Sequence, residues 1–262
     1  MKNVKNEQVK NSGLPLAIIV LVLIAVVAGG FWFYTSSKST PDKAKKTPPA
    51  NANIANVAAT APAGAQPPDM LGSPTASVTV EEFGDFQCPS CSQVHPMMKE
   101  IQSIYGPRIK FVWRNYPLAI PAHDKAYDAA VAAEAAGMQG KFWAMQNELY
   151  TNQQEWSGNQ NFRQIWGGYA QKIGLDVDKF QNDIAGLGAK TRVDEDLKRG
   201  RALGVNSTPS IFVNGRLVPY DDISVTGIRQ MIDTELQQAN EKAKAGTAKT
   251  AAPANAAPAN AQ

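Results

Sequence analysis

Cysteine and histidine are scarce in this chain of 262 residues, which has two of each, and its charges nearly balance at a formal net charge of +3. The balance excludes the strong basic excess that is typical of nucleic-acid-binding proteins. Both cysteines, Cys88 and Cys91, fall in one stretch, EFGDFQCPSC at 82–91. The chain therefore has no third cysteine that could receive electrons from this pair.

An uninterrupted apolar run occupies 14–34, contains no charged residue and matches the roughly 20 residues that a helix needs to cross a bilayer. Lysines before the run and small residues at 28–30 leave a cleaved secretory signal as the alternative. The run ends in aromatic residues, which are typical of a membrane interface and favour an uncleaved anchor. Both interpretations export the residues that follow.

Two further segments have too little apolar bulk to pack into a core. The stretch 35–75 is rich in Ala, Pro, Asn, Thr and Lys, and the end of the chain at 239–262 contains the repeat AAPANAAPAN. Such compositions predict a disordered linker and a disordered tail. The remaining residues, 76–238, have the size of a single domain.

Within this domain, the hydrophobic pattern predicts an α/β fold. Strands at 77–83 and 109–117 flank a helix at 88–104, which indicates a parallel βαβ unit. A helical subdomain is then inserted at about 120–203. A hairpin with Asn214-Gly215 at its turn and a closing helix at 224–238 complete the order.

The chemistry of the sequence lies in the C-x-x-C motif. Its first cysteine, Cys88, is placed at a helix N-terminus, where the helix dipole and free backbone N–H groups stabilise a thiolate. We therefore expect the pKa of Cys88 to lie below the ordinary value of about 8.5. Cys91, one turn into the helix, is expected to be shielded and suited to resolving a mixed disulfide.

Two other interpretations of the cysteine pair are open. A zinc site would need Cys88, Cys91, His95 and His123, but His95 is predicted on the same helix, where it points away from a tetrahedral site. An inert structural disulfide across this short spacing would close almost no loop and stabilise little. The spacing favours catalysis, and Asp85, just before the motif, is expected to hydrogen-bond the loop.

Three separated stretches carry a family resemblance: EFGDFQCPSC, GKFWAMQNELY from 140 and GVNSTPSIFVNG at 204–215. In this order, across 76–238, they resemble the DsbA-like thiol-disulfide oxidoreductases of the thioredoxin superfamily. The resemblance implies a thioredoxin fold with an inserted helical subdomain, and the apolar run at 14–34, which lies outside the resemblance, predicts one transmembrane helix before it. It also implies exchange chemistry for which we expect neither a cofactor nor a metal.

The resemblance also implies roles for individual residues of the motif. Cys88 matches the exposed nucleophile and Cys91 the resolving thiol, while Pro89 and Ser90 form the dipeptide that tunes them. Well-known strong oxidants of the family carry His at the position of Ser90. The oxidising strength of this protein is therefore not fixed by the motif.

Further implied site residues lie outside the motif. Pro209 matches a cis-proline that faces the cysteine pair, and Thr208 the residue whose backbone pairs with a bound peptide. Glu82 matches an acidic residue beneath the active site, where it would transfer protons. A solvated carboxylate on a strand is the alternative for Glu82.

These observations predict an enzyme that exchanges its disulfide with cysteine pairs of exported proteins, most simply as an oxidase. The alternatives are a disulfide isomerase or reductase, and a non-catalytic peptide-binding chaperone on the same fold. The resemblance implies, as the partner that resets the pair, a membrane quinone-linked disulfide generator of the DsbB or vitamin K epoxide reductase type. Because such chemistry belongs in an oxidising compartment, we expect 1–13 in the cytoplasm of a bacterium, 14–34 in its inner membrane and the domain in the periplasm.

Overall fold

The computed structural model of the protein describes residues 60–250, with side chains for 60–246. The predicted cytoplasmic segment 1–13, the predicted anchor 14–34 and most of the predicted linker lie outside the described residues. Within 60–250, no helix combines the length and the apolar character that a bilayer span requires.

The five strands of the described residues form one sheet in the order β1-β3-β2-β4-β5. Strands β2 and β3 run parallel, and the other neighbouring strands run antiparallel. The predicted hairpin is confirmed, since Asn214 and Gly215 both have positive φ between β4 and β5. The strands are β1 (Asp69–Gly72), β2 (Val78–Gly84), β3 (Ile109–Asn115), β4 (Ser210–Val213) and β5 (Arg216–Leu217).

Helix α1, Pro89–Tyr105, connects β2 to β3, so the predicted βαβ unit is confirmed. It continues through Pro96 without interruption. The predicted helical block follows β3 and contains α4, whose few residues are too short to produce a helical period in the sequence. The remaining helices are α2 (Ala126–Gly137), α3 (Phe142–Thr151), α4 (Gln153–Ser157), α5 (Phe162–Lys172), α6 (Val177–Ala185), α7 (Leu187–Ala202) and α8 (Val225–Thr250).

Strand β2 separates two environments because successive side chains of a strand point to opposite faces of the sheet. Val78 and Val80 pack in the core that includes residues of α1 and α8. Phe83, of the opposite parity, packs with Tyr116 in a different cluster. Glu82 has the parity of Val80 and therefore faces the side of the sheet that α1 covers.

The prediction of a disordered linker up to 75 is wrong for the residues from 60 onward. Strand β1 pairs with β3 along its length, and Ala65 is buried. The guanidinium of Arg114 donates hydrogen bonds to the carbonyls of Ala63 and Ala65 at 2.8 and 3.0 Å. Hydrogen bonds between its backbone and buried charged side chains order this segment. A lack of apolar residues therefore does not make it disordered.

The predicted tail also begins too early, because α8 continues past 239 to Thr250. Alanine and lysine make up seven of the twelve residues 239–250, and both favour helix. The alanine-rich repeat that follows this extension is what predicts disorder for the whole tail.

Candidate active site

The cysteine pair lies where β2 turns into α1. Strand β2 ends at Gly84, where an added Cβ would lie 2.1 Å from the ring of Trp113, so a residue with a side chain does not fit. Cys88 is the N-cap of α1 with extended backbone dihedrals, and Pro89 opens the helix. Proline suits this first helical position because its missing N–H is not needed there. The predicted placement of Cys88 at a helix N-terminus is confirmed.

Both cysteines are free thiols in this structure, and they differ in access to solvent. Cys88 is 6% exposed and Cys91 is fully buried at 0%. The family resemblance implied an exposed Cys88, whereas only a small part of its surface reaches solvent. Pro89 next to it is exposed.

The two thiols have pKa values shifted in opposite directions. Hydrogen bonding from the Cys91 thiol, with help from Thr208 and the backbone of Ser90 and Cys91, lowers the pKa of Cys88 to about 5. Burial, followed by the hydrogen bond and charge of Cys88, raises the pKa of Cys91 well above its ordinary value. At neutral pH the pair therefore holds a thiolate on Cys88 and a proton on Cys91.

Thr208 and Pro209 reach the pair from far along the chain. Their peptide bond is cis, and the Sγ atom of Cys88 lies 3.5 Å from the carbonyl oxygen of Thr208. The Thr208 side chain is buried, and its hydroxyl has no hydrogen-bond partner among the described residues. A thiolate on Cys88 would give this hydroxyl an acceptor.

Glu82 lies on the face of the sheet that α1 covers, as the strand alternation predicts, and is only 3% exposed. Burial raises its pKa to about 8. Burial raises the pKa of Tyr150 well above its ordinary value, and the charges of Cys91, Glu82, Asp85 and Cys88 raise it further. The alternative of a solvated strand carboxylate is therefore wrong.

Two residues of the inserted helices that are not among the predicted site residues hold the active-site loop. The side-chain amide of Gln153 donates to the carbonyls of Phe86 and Cys88 at 2.7 and 3.0 Å. The Tyr150 hydroxyl donates to the carbonyl of Asp85 at 3.2 Å. Gln153 carries no local signal, because it lies 65 residues from Cys88.

The two histidines contact groups other than the sulfurs. His95 packs against Tyr150 with ring centroids 5.0 Å apart, and its Nε2 lies 3.4 Å from the side-chain oxygen of Asn147. His123 lies 2.7 Å from the carboxylate of Asp85. Residues 60–246 contain no group of three or more potential metal ligands among His, Cys, Asp and Glu, so the four zinc ligands considered above do not come together.

A curated relative shares part of this sequence. It is the Na(+)/H(+) antiporter NhaA 1 of Mycolicibacterium gilvum (strain PYR-GCK), with 39% identity over 149 residues. The match takes in 56% of this chain but only 23% of the antiporter. The chain thus spans about a quarter of the length of this relative.

Solved structures share the fold. The oxidised form of BdbD from Bacillus subtilis matches with a TM-score of 0.58 and 23% identity, over 65% of this chain and 93% of that one. The thiol-disulfide exchange protein alpha-DsbA2 from Wolbachia pipientis matches with a TM-score of 0.54 and 19% identity, over 64% and 86%. The predicted thioredoxin-like α/β fold with structural neighbours of the DsbA type is confirmed at the level of the fold.

A family model described as Thioredoxin matches residues 65–234. The match begins ahead of β1 and ends inside α8, so it includes the sheet, the inserted helices and the cysteine pair. It takes in well over half of the 262 residues, and the chain belongs to this thioredoxin family.

Proposed function

We propose that the protein is a thiol-disulfide oxidoreductase of the DsbA type that transfers its Cys88–Cys91 disulfide to exported proteins. The observation that carries this proposal is the opposite character of the two thiols at the start of α1. Cys88 is the accessible member with a pKa of about 5, and Cys91 is buried and protonated. A structural disulfide does not require two thiols that differ in pKa and exposure. Exchange does, because it needs a good leaving thiolate and a protected second thiol.

The reaction follows from these positions. A substrate thiolate attacks the Sγ of Cys88, the Cys88–Cys91 bond breaks, and a mixed disulfide forms between substrate and Cys88. The second substrate thiolate then attacks the substrate sulfur of that bond and releases Cys88 as a thiolate. The substrate has lost two electrons, and the pair has gained them as a dithiol.

The stabilised thiolate supports the proposed direction of exchange. Whatever stabilises the reduced form of the pair makes its disulfide a stronger oxidant. Here the stabilisation comes from the Cys91 thiol, Thr208 and backbone groups at Ser90 and Cys91, so it does not require the histidine that other family members carry in place of Ser90. This supports an oxidase over a reductase or isomerase.

Glu82 is proposed to exchange protons with Cys91. The Cys91 thiol must lose its proton whenever its sulfur forms a disulfide, and burial raises its pKa. A carboxyl group with a pKa of about 8 can accept a proton and return it near neutral pH. Glu82 and Cys91 are both buried, and burial first and then the charges of both groups raise the pKa of Tyr150, which supports a shared buried region.

The proposed location rests on the sequence outside the described residues. An anchor at 14–34 would hold the domain on the outer side of a bacterial inner membrane, in the periplasm. There it meets its proposed substrates, exported proteins with cysteine pairs. Because the chain has only two cysteines, an external acceptor must reoxidise them, and we propose a quinone-linked disulfide generator of the DsbB or vitamin K epoxide reductase type in the same membrane.

Refolding of reduced hirudin tests the proposed activity. The oxidised protein in stoichiometric amounts should form hirudin disulfides rapidly, and the Cys88→Ser variant should not. Reduction of insulin by dithiothreitol with the protein as catalyst tests the reductase alternative. Peptide binding without any disulfide transfer in either assay would instead identify a chaperone and overturn the proposal.

A further inference from the structure

Asp85 joins two loops that meet at the cysteine pair. One carboxylate oxygen accepts the backbone N–H of Gln87 at 2.7 Å, and the other accepts the N–H of Leu118 at 2.9 Å. The second oxygen also lies 2.7 Å from Nδ1 of His123. The carbonyl oxygen of Asp85 accepts the N–H of Cys88 at 3.1 Å.

The burial of this arrangement shows that its donors are needed. Asp85 is 1% exposed, and a carboxylate in that position is costly unless it is hydrogen-bonded. Two backbone N–H groups and one ring N–H supply the partners. Because a carboxylate only accepts, Nδ1 of His123 carries the hydrogen.

The second loop runs from β3 to α2 and is fixed by Asp85 at two points. Leu118 and His123 lie near its two ends, and the N–H of His123 closes a turn on the carbonyl of Ile120 at 2.9 Å. Asp85 also fixes the active-site loop. Its carboxylate accepts the N–H of Gln87, and its backbone carbonyl accepts the N–H of Cys88. The position of the first turn of α1 therefore depends on the Asp85–His123 contact.

We propose that Asp85, held by His123, is a positioning residue that keeps the start of α1 in the geometry that stabilises the Cys88 thiolate. This inference rests on the proposed function only for the purpose that a stabilised thiolate would serve. The contacts of Asp85 hold the reduced protein whatever reaction it performs. The titratable groups around Asp85 are His123, both cysteines and Tyr150.

The direction in which the pKa of Cys88 changes on substitution of Asp85 distinguishes a positioning role of Asp85 from a direct effect of its charge. Loss of a negative charge near a thiolate lowers the pKa of the thiol, because the charged form is then less repelled. Loss of positioning raises it, because the hydrogen bonds that stabilise the thiolate weaken. Asp85→Asn removes the charge and at least one acceptor for the backbone donors, so the two effects oppose each other.

The test measures the rate of alkylation of Cys88 by iodoacetamide against pH in the reduced full-length protein. We expect Asp85→Asn to raise the midpoint by about one pH unit, which is about a tenfold loss of thiolate below the midpoint. His123→Phe, which removes the ring donor, should raise the midpoint in the same direction. His123→Asn, whose amide can donate from the position of Nδ1, should recover most of the wild-type rate.

Asp128→Asn on α2 is the matched control, because it removes an acidic side chain that pairs with the exposed Arg163 and should leave the midpoint in place. Circular dichroism melting identifies any variant that fails to fold, in which case the two His123 variants decide. A midpoint that stays or falls in Asp85→Asn overturns the proposal, and so does equal behaviour of His123→Asn and His123→Phe. Alkylation needs no substrate protein, so failure of disulfide transfer to hirudin would count against the proposed function alone.

Discussion

Replacement of Glu82 by Gln should stabilise the reduced protein in a strongly pH-dependent way. Burial raises the pKa of Glu82 from the usual 4.5 to about 8. In the unfolded chain the carboxyl group ionises above pH 4.5, but in the folded protein it stays protonated to about pH 8. A raised acid pKa opposes folding, and this cost appears above the unfolded value and grows until the pH passes the folded value.

The magnitude follows from 1.36 kcal/mol for each unit of pKa shift. At pH 7 the cost of holding Glu82 neutral is about 3 kcal/mol, and above pH 8 it approaches about 5 kcal/mol, as upper values. Glutamine remains neutral in both states and does not have this cost. Near pH 4 the carboxyl group is mostly protonated in both states, so the substitution should change stability little.

Urea unfolding of the reduced protein at about pH 4, 7 and 9 measures these differences. The neighbouring Glu81→Gln is a matched control from the opposite face of β2. Burial raises the pKa of Glu81, but hydrogen bonds and charges from Arg199 and Arg114 outweigh it and leave the pKa lowered. Glu81 therefore stabilises the fold above its unfolded pKa, and Glu81→Gln should lose stability at pH 7. A Glu82→Gln variant with equal gains at pH 4 and pH 9, or with none at pH 7, would refute the reasoning.

Three further predictions concern exchange. Cys91→Ser should accumulate mixed disulfides on Cys88 because the resolving thiol is gone, and diagonal gels that show more trapping by Cys88→Ser would reverse the roles. Thr208→Val should raise the pKa of Cys88, because the hydroxyl that helps to stabilise the thiolate is lost; an unchanged alkylation profile against pH would remove Thr208 from the site. An exported form that begins at residue 51, ahead of the segment held by Arg114, should exchange disulfides normally in vitro but accumulate reduced in cells, because it lacks the proposed anchor that would tether it near the proposed acceptor. Equal oxidation of the two forms, measured by alkylation and gel shift, would contradict a role of the anchor in recharging.

Local patterns in the sequence were enough to predict the position of the cysteine pair. The β-branched strand before it, the helix after it and Pro89 at the first helical position all act within a few residues, where backbone preferences are encoded directly. Successive side chains of β2 point to opposite faces of the sheet, so Glu81 and Glu82 lie on different faces. The inserted helices were recognisable because each is long enough to show its own period, except for the short α4.

The tertiary structure alone decided what surrounds the pair. The carbonyl of Thr208 reaches Cys88 across 120 residues, and Gln153 reaches it across 65. The ordered structure of the segment from 60 to 75 could not be predicted from its sequence either. Arg114 binds backbone carbonyls of this segment, and every residue has a carbonyl, so no residue type indicates the contact. The pKa of Glu82 depends on desolvation, which is set by whatever packs over a group. Local sequence encodes which way a side chain points, but its solvent exposure and partners exist only once distant segments have packed together.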